Sequence, residues 1–198
     1  MQQATTTGAA PVAGPADIYD ARFVPALFGP WGPRIAREAG AAPGARLLDV
    51  GCGTGALACA AAAIVRPDGH VTGLDANPEM LAVARRKPES VTWVEGLAEA
   101  LPFEDDSFDA VASQFALMFF EDPPAALAGM ARVLRPGGRM AVAVCDAVER
   151  SPGYAAFSAL LRRLFGDDVA DAFGAPFVMG DMATLETHAR AAGLRAAR

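Results

Sequence analysis

The segment Leu47-Leu48-Asp49-Val50-Gly51-Cys52-Gly53-Thr54-Gly55 carries the strongest chemical signature in the chain: an apolar run, a carboxylate, then three glycines at alternate positions. It reads as a buried strand entering a Gly-rich turn that opens a helix, the arrangement that cradles a nucleotide-type cofactor. Gly51 and Gly53 let the backbone turn tightly and approach a ligand without an intervening Cβ, and Gly55 lets the helix start close to the strand. The next strand candidate ends in Asp75, twenty positions after Gly55, where a carboxylate can accept hydrogen bonds from ribose hydroxyls. Two cofactors contain such a ribose. Gly51, Gly53 and Ala56 satisfy the G-x-G-x-x-G/A pattern of NAD sites, and S-adenosylmethionine would use the same turn. Asp49 favours the second, because a carboxylate just before the loop attracts an ammonium and a sulfonium and repels a doubly anionic pyrophosphate.

Other reactive side chains are sparse. Cys52 lies within the loop at the start of a helix, a setting that can activate a thiol, but it reads as a small packing residue. His70 precedes a strand and His188 lies on a late, Arg-containing helix, so both read as surface residues. No Ser/His/Asp order and no metal-ligand spacing appears, and the expectation is a site without a metal.

The elements that must position the loop alternate short apolar runs with longer amphipathic ones, the rhythm of βαβ units. Strands are predicted over Arg46–Val50, His70–Asp75, Val91–Gly96, Phe108–Phe115 and Arg139–Cys145. Helices are predicted over Gly55–Val65, Asn77–Lys87, Pro123–Leu134, Gly153–Phe165 and Asp181–Ala192. Asn77 before Pro78 suits an N-cap, Asp181 caps the last helix, and Gly193 ends it. The Arg135-Pro136-Gly137-Gly138 stretch reads as a turn before the fifth strand. Upstream, Tyr19, Phe23, Leu27, Phe28, Trp31 and Ile35 recur at helical spacing interrupted by Pro25, Pro30 and Pro33, which predicts a broken helical lid.

The resulting fold class is α/β, a Rossmann-like, doubly wound, mainly parallel sheet. Three segments are expected: a flexible tail over 1–16, the N-terminal helical lid over 17–45, and a cofactor-binding domain over 46–198. The 198 residues suit one core, and 53% hydrophobic content excludes wholesale disorder. A net charge of −6 without a Lys/Arg run argues against nucleic acid or an anionic membrane as partner. The first sixteen residues resemble neither a signal peptide nor a membrane span, and three cysteines without CxxC spacing suit a reduced, cytoplasmic setting.

Asp49-Val-Gly-Cys-Gly-Thr-Gly resembles the first motif of class I S-adenosylmethionine-dependent methyltransferases, in particular the type 11, ubiquinone/menaquinone-biosynthesis-like group. Leu74-Asp75-Ala76-Asn77-Pro78-Glu79-Met80-Leu81 is similar to the second motif, and Gly96 through Phe103, with Leu101-Pro102-Phe103, to the third. Phe108-Asp109-Ala110-Val111 looks like the fourth strand, and Val133-Leu134-Arg135-Pro136-Gly137-Gly138-Arg139 completes the set in order. The resemblance implies S-adenosyl-L-methionine as cofactor and S-adenosyl-L-homocysteine as product. It further implies that Gly51, Cys52 and Gly53 line the methionine half, with Asp49 near its ammonium, and that Asp75 holds the ribose. Ala76 and Met80 would flank the adenine, Leu97 and Ala98 would meet its edge through their backbone, and Ser113 and Gln114 would close the pocket. Many relatives carry an Asp after the third-motif glycine, whereas Leu97 follows Gly96 here and Glu99 is the nearest carboxylate.

The implied activity is methyl transfer to a small organic acceptor, with C- or O-methylation favoured. Such transfer is an in-line displacement on a carbon already activated by positive sulfur, so aligning the acceptor and excluding water are the main tasks and no catalytic base is assigned. Acceptor contacts are expected from Tyr19, Phe23, Phe28 and Trp31 in the lid, from the stretch Phe115 to Phe120 after the fourth strand, Phe115 and Met118 above all, and around Tyr154 and Phe157. The alternatives are a methyltransferase-like binding protein without turnover and an NAD-linked oxidoreductase, the latter lacking any hydride-transfer constellation. The family usually adds a sixth and a seventh strand after the helix ending near Ala192. Their expected absence implies a C-terminal truncation or a fifth strand exposed for pairing with a second copy.

Overall fold

Five strands, β1 (Arg46–Val50), β2 (His70–Asp75), β3 (Val91–Glu95), β4 (Phe108–Gln114) and β5 (Leu134–Ala143), form one sheet in the order β3-β2-β1-β4-β5. The computed structural model describes residues 14–87 and 90–195, so residues 1–13 of the tail expected over 1–16 lie outside the described residues. Every strand pairing is parallel, as the βαβ rhythm requires. The order reverses between β1 and β4, whose onward connections run to opposite sides, β1 to β2 and β4 to β5. The crevice above the carboxyl ends of β1 and β4 is therefore the expected binding place in an open α/β sheet.

Helices cover both faces: α1 (Pro15–Ile18), α2 (Gly32–Glu38), α3 (Ala56–Val65), α4 (Pro78–Ala84), α5 (Pro123–Val133), α6 (Pro152–Phe165), α7 (Asp167–Gly174) and α8 (Met182–Ala191). Alternation along the strands sorts the core into two layers. Leu47, Val71, Ala110 and Ala112 face α2 and α3, packing on Ala36, Ala58, Ala61 and Val65. Leu48, Val50, Leu74 and Val111 face the other way onto Leu127, Met130 and Val133 of α5. Three helix starts are capped by a preceding side chain: Asn77 Oδ1 accepts from Glu79 and Met80, Asp122 from Ala125, and Asp181 from Ala183 and Thr184. Gly193 at φ 75° ends α8.

Two readings shift. The Arg135-Pro136-Gly137-Gly138 stretch is a bulge inside β5, because Phe108 pairs with Leu134 and Ala110 with Arg139, leaving the extra residues looped within the ladder. Arg135 anchors it by donating to the Asp109 carboxylate at 2.6 Å. Helix α7 was not anticipated, since Asp167–Gly174 is short and bounded by glycines. It is held to α6 by Arg162, which donates to Asp167 and Asp171.

The N-terminal segment is helical in pieces. After α1 comes a π-helical run, Tyr19–Phe28, with Pro25 inside it, then a 3-10 turn, Gly29–Trp31, then α2. A proline removes one N–H and crowds the preceding turn, so a widened helix accommodates it here. Pro15 and Ala16 belong to α1, and Ala16 is buried. Two ion pairs tie the lid to the end of α4, Arg86 to Asp17 at 2.5 Å and Lys87 to Asp20 at 2.7 Å.

Gly55 shows how tightly the glycine turn is built. It adopts φ 89°, and a Cβ there would lie 2.3 Å from the Trp93 ring on β3. Gly55→Ala therefore combines left-handed strain with overpacking and is expected to lower stability by about 2–4 kcal/mol, read from the urea midpoint. Trp93→Leu in the same chain should recover part of that loss.

Candidate functional site

A cavity of about 990 Å3 opens above the carboxyl ends of β1, β2 and β4. Its floor is the glycine turn, folded back onto β2 by three hydrogen bonds: Gly51 and Cys52 donate to the Leu74 carbonyl at 2.8 and 2.9 Å, and Gly53 donates to Asp75 Oδ2 at 2.7 Å. Asp75 Oδ1 accepts from the Asn77 backbone at 2.8 Å. One carboxylate thus fastens the turn to the start of α4. Gly51, at φ 71°, has no room for a Cβ, which would sit 2.5 Å from Ala116, whereas a Cβ at Gly53 would meet no protein atom.

Asp49 is the chemically unusual member. It is 1% exposed and neither carboxylate oxygen has a partner. Burial, reinforced by the nearby Asp75 charge, pushes its carboxyl up to about 8. Thr54 Oγ1 and Gln114 Oε1 are likewise buried and unpartnered, and all three residues line the cavity. Buried acceptors left open cost about 1–3 kcal/mol each, so the cavity is built to receive a ligand with several N–H donors and positive charge. No Lys, Arg or His lines it, while Asp75, Glu79, Glu99 and Glu121 do.

Tyr19 reaches into the cavity from the lid. Burial and the carboxylates of Asp75, Asp20 and Asp49 push its phenol up to about 12, so it stays a hydrogen-bond donor and is unsuited to act as a base. Burial and the Asp49 and Asp75 charges likewise push the Cys52 thiol up, leaving it an inert packing group. Phe115, immediately after β4, adopts φ 53°. That left-handed turn takes its ring out of strand alternation and onto the lid, 5.6 Å from Phe28 and 6.1 Å from Trp31. Tyr19 stacks on Phe28 at 5.4 Å and on Phe23 at 6.2 Å.

Of the expected cofactor residues, Asp49, Gly51, Cys52, Gly53, Asp75, Ala76, Met80, Gly96, Leu97, Ala98, Glu99 and Gln114 line this one cavity. Ser113 does not. It is fully buried on the β4 face that also carries Val111, with its Oγ unpartnered. Glu99 is partly committed, accepting from the backbone of Glu121 at 2.9 Å and Asp122 at 3.3 Å. Among the expected acceptor residues, Tyr19 and Phe115 line the cavity, whereas Phe23, Phe28 and Trp31 stand behind them in the lid stack. Met118 packs on the α5 core. Tyr154 and Phe157 stack instead with Phe173 and Phe177 around α7, away from the lining. Phe119 and Phe120, in the apolar run expected to border the acceptor, also line the cavity, whereas sequence reasoning missed Glu121.

Residues 48–142 match the profile of a methyltransferase domain. A demethylmenaquinone methyltransferase of Staphylococcus aureus is 44% identical over 111 residues, 54% of this chain and 46% of the relative. The chain spans less than half the length of the curated relatives it matches. The structure of YcgJ from Bacillus subtilis superposes with a TM-score of 0.62 at 30% identity, covering 81% of this chain and 66% of that one. Residues 48–142 form a methyltransferase domain of the class I S-adenosylmethionine-dependent kind. Within that segment the sequence is similar to demethylmenaquinone methyltransferases. The partner of the Trm112 methyltransferase activator in a Haloferax volcanii complex shares the fold, with a TM-score of 0.70 at 24% identity over 94% of this chain and 79% of that one. The choice between two cofactors that the glycine turn left open is thereby decided for S-adenosylmethionine.

Because Asp49 holds its proton more tightly in the folded chain than the usual 3.8, the folded state binds more protons than the unfolded one between about 4 and about 8. Its contribution to stability therefore falls as pH rises through that window. Asp49→Asn is expected to flatten the pH dependence of the urea midpoint between pH 5 and pH 8 in ligand-free protein. An unchanged slope would contradict the assignment.

Proposed function

We propose that this chain transfers the methyl group of S-adenosylmethionine to a small, apolar or aromatic organic acceptor, at carbon or oxygen. The observation that carries the reading is the pairing of two carboxylates across one glycine turn: Asp49, buried and unpartnered, and Asp75, at the end of β2. In this reading Asp49 receives the methionine ammonium and Asp75 the ribose hydroxyls. Gly51, Cys52 and Gly53 border the methionine half, and Ala76, Met80, Leu97 and Ala98 enclose the adenine. The open side of Gly53 leaves room for the ligand to approach the backbone.

Bound cofactor would supply an electrophilic methyl carbon. The protein's own residues exclude water and hold the acceptor in line with it, with Tyr19, Phe115, Phe119 and Phe120 forming an aromatic wall on the lid side. The lining carries no cation, which disfavours acceptors that arrive as anions. The name of the Staphylococcus aureus relative supports a quinone-like acceptor. No helix among the described residues is long and apolar enough to cross a membrane, and a cytoplasmic location fits this reading.

Calorimetric titration tests the cofactor half. S-adenosylhomocysteine should bind and NAD should not, and Asp75→Ala should weaken the former at least about tenfold, the worth of a hydrogen bond to a charged group. Binding of NAD in its place would overturn the proposal. Radiolabelled methyl transfer to a panel of quinones and phenols tests the acceptor half, and binding without transfer to any of them would favour a methyltransferase-like binding protein. The β5 edge pairs only with β4 among the described residues, and a second copy is the expected partner there. Sedimentation showing only monomers would remove that expectation.

A further inference from the structure

Gln114 is the last residue of β4 and works at both ends of its amide. Nε2 donates to the Phe28 carbonyl of the lid at 3.0 Å, which fixes the amide orientation and leaves Oε1 facing inward, buried and without a partner. Among the described residues this is the one hydrogen bond between the sheet and the Tyr19–Trp31 part of the lid; Asp17 and Asp20 are held by Arg86 and Lys87 just after α4, and at the far end of the lid Ala45 accepts from His70 of β2. Asp49 pairs with Ala112 in the parallel register, so Gln114, two residues further along β4, projects from the same face of the sheet as Asp49. Both line the cavity. The open acceptors are therefore Asp49 Oδ1 and Oδ2 and Gln114 Oε1, with the Thr54 hydroxyl nearby on the turn. A cation seated beside Asp49 favours its ionised form, and the three acceptors, then bearing one negative charge, match a primary ammonium with its three N–H donors.

Phe28 is the joint of the lid. Its ring lies between Tyr19, at 5.4 Å, and Phe115, at 5.6 Å, and Tyr19 reaches the cavity. A hydrogen bond that holds the Phe28 backbone therefore also places the Tyr19 ring over the site. An amide whose oxygen is taken by an ammonium donates more strongly through its nitrogen and loses the freedom to turn toward water. An amide with an empty oxygen side has a reason to turn, since hydrating Oε1 relieves a buried open acceptor.

We propose that Gln114 is a positioning residue that latches the lid in response to the amino group of the cofactor, an inference that rests on the S-adenosylmethionine reading above. The methionine ammonium, seated between Asp49 and Gln114, holds the amide that holds Phe28. The lid closes over ligands that carry this ammonium and stays loose over ligands that supply only the adenosine half. Closure is thereby tied to the part of the cofactor next to the reacting sulfur.

Hydrogen–deuterium exchange of the 19–31 backbone, read with two probes, tests this. S-adenosylhomocysteine carries the amino acid and 5′-methylthioadenosine lacks it. In the wild-type chain, S-adenosylhomocysteine at saturation should slow exchange of the segment at least about tenfold, as expected for one hydrogen bond to a charged group, and saturating 5′-methylthioadenosine should change it less than about twofold. Gln114→Leu should abolish the protection while its affinity for 5′-methylthioadenosine stays within about threefold of wild type, which also reports that the adenosine half is folded. Gln114→Glu keeps an acceptor for the ammonium but has no donor for Phe28, so it should bind S-adenosylhomocysteine without protecting the lid. Equal protection by both probes, or protection that survives in Gln114→Leu, overturns the latch while leaving the cofactor reading intact. Failure of S-adenosylhomocysteine to bind the wild-type chain overturns the cofactor reading and the latch with it.

Discussion

The hydrogen bond from Gly53 to Asp75 joins the two halves of the site, and most of the surrounding geometry depends on it. Parallel strands deliver every carboxyl end to the same rim of the sheet, but rim residues on neighbouring strands still need a common frame. Asp75 supplies it by accepting from the turn after β1 with one oxygen and from the start of α4 with the other. The Leu74 carbonyl adds two more bonds to the same turn. With the turn held down, Gly51 closes against Ala116 and Phe120, and Gly55 closes against Trp93. Only Gly53 keeps an open side, and that side faces the cavity.

The site is polarised by what is missing from its walls. Five carboxylates line the cavity without one basic side chain, and the most buried of them has no hydrogen bond. The cost of carrying Asp49 in that state is offset by the two core layers on either side of the sheet, where residues such as Leu47, Leu48 and Met130 are fully buried. Strongly perturbed carboxyls in clefts belong to functional sites when geometry supplies a ligand for them. Here the geometry supplies open acceptors and an aromatic cover.

That cover is the part least like a rigid scaffold. Up to Trp31 it is built from α1, a π-helical run and a 3-10 turn, and ahead of α2, which packs into the core on α3, it meets the body of the protein through two ion pairs after α4, one amide at β4 and a stack of aromatic rings. Elements held by few polar contacts and partly exposed rings can open without disturbing the sheet. A methyl donor must enter and its product must leave, so an attachment of this kind suits the reaction.

The sheet and the glycine-turn side of the cavity were legible in the sequence because both are local. A strand, a glycine turn and a helix follow one another within twenty residues, and β1 and β2 have the boundaries that apolar patterning predicts. Asp49, Asp75 and the three glycines could be named for the same reason, since their chemistry depends on neighbours along the chain. The acceptor side was not legible, because it depends on which aromatic residues from distant segments share a wall. Phe23, Phe28 and Trp31 have the same composition and spacing as Tyr19, yet only Tyr19 reaches the cavity, and Tyr154 and Phe157 pack against a helix that short, glycine-bounded sequence did not announce. The bulge in β5 and the buried face of Ser113 escaped notice because strand register sets them, and register follows from partners rather than from the strand itself. Sequence therefore determined the turn, the carboxylates and the order of the strands' chemistry. Tertiary packing alone decided which side chains close over them, because a contact between Gln114 and Phe28, 86 residues apart, has no local signature.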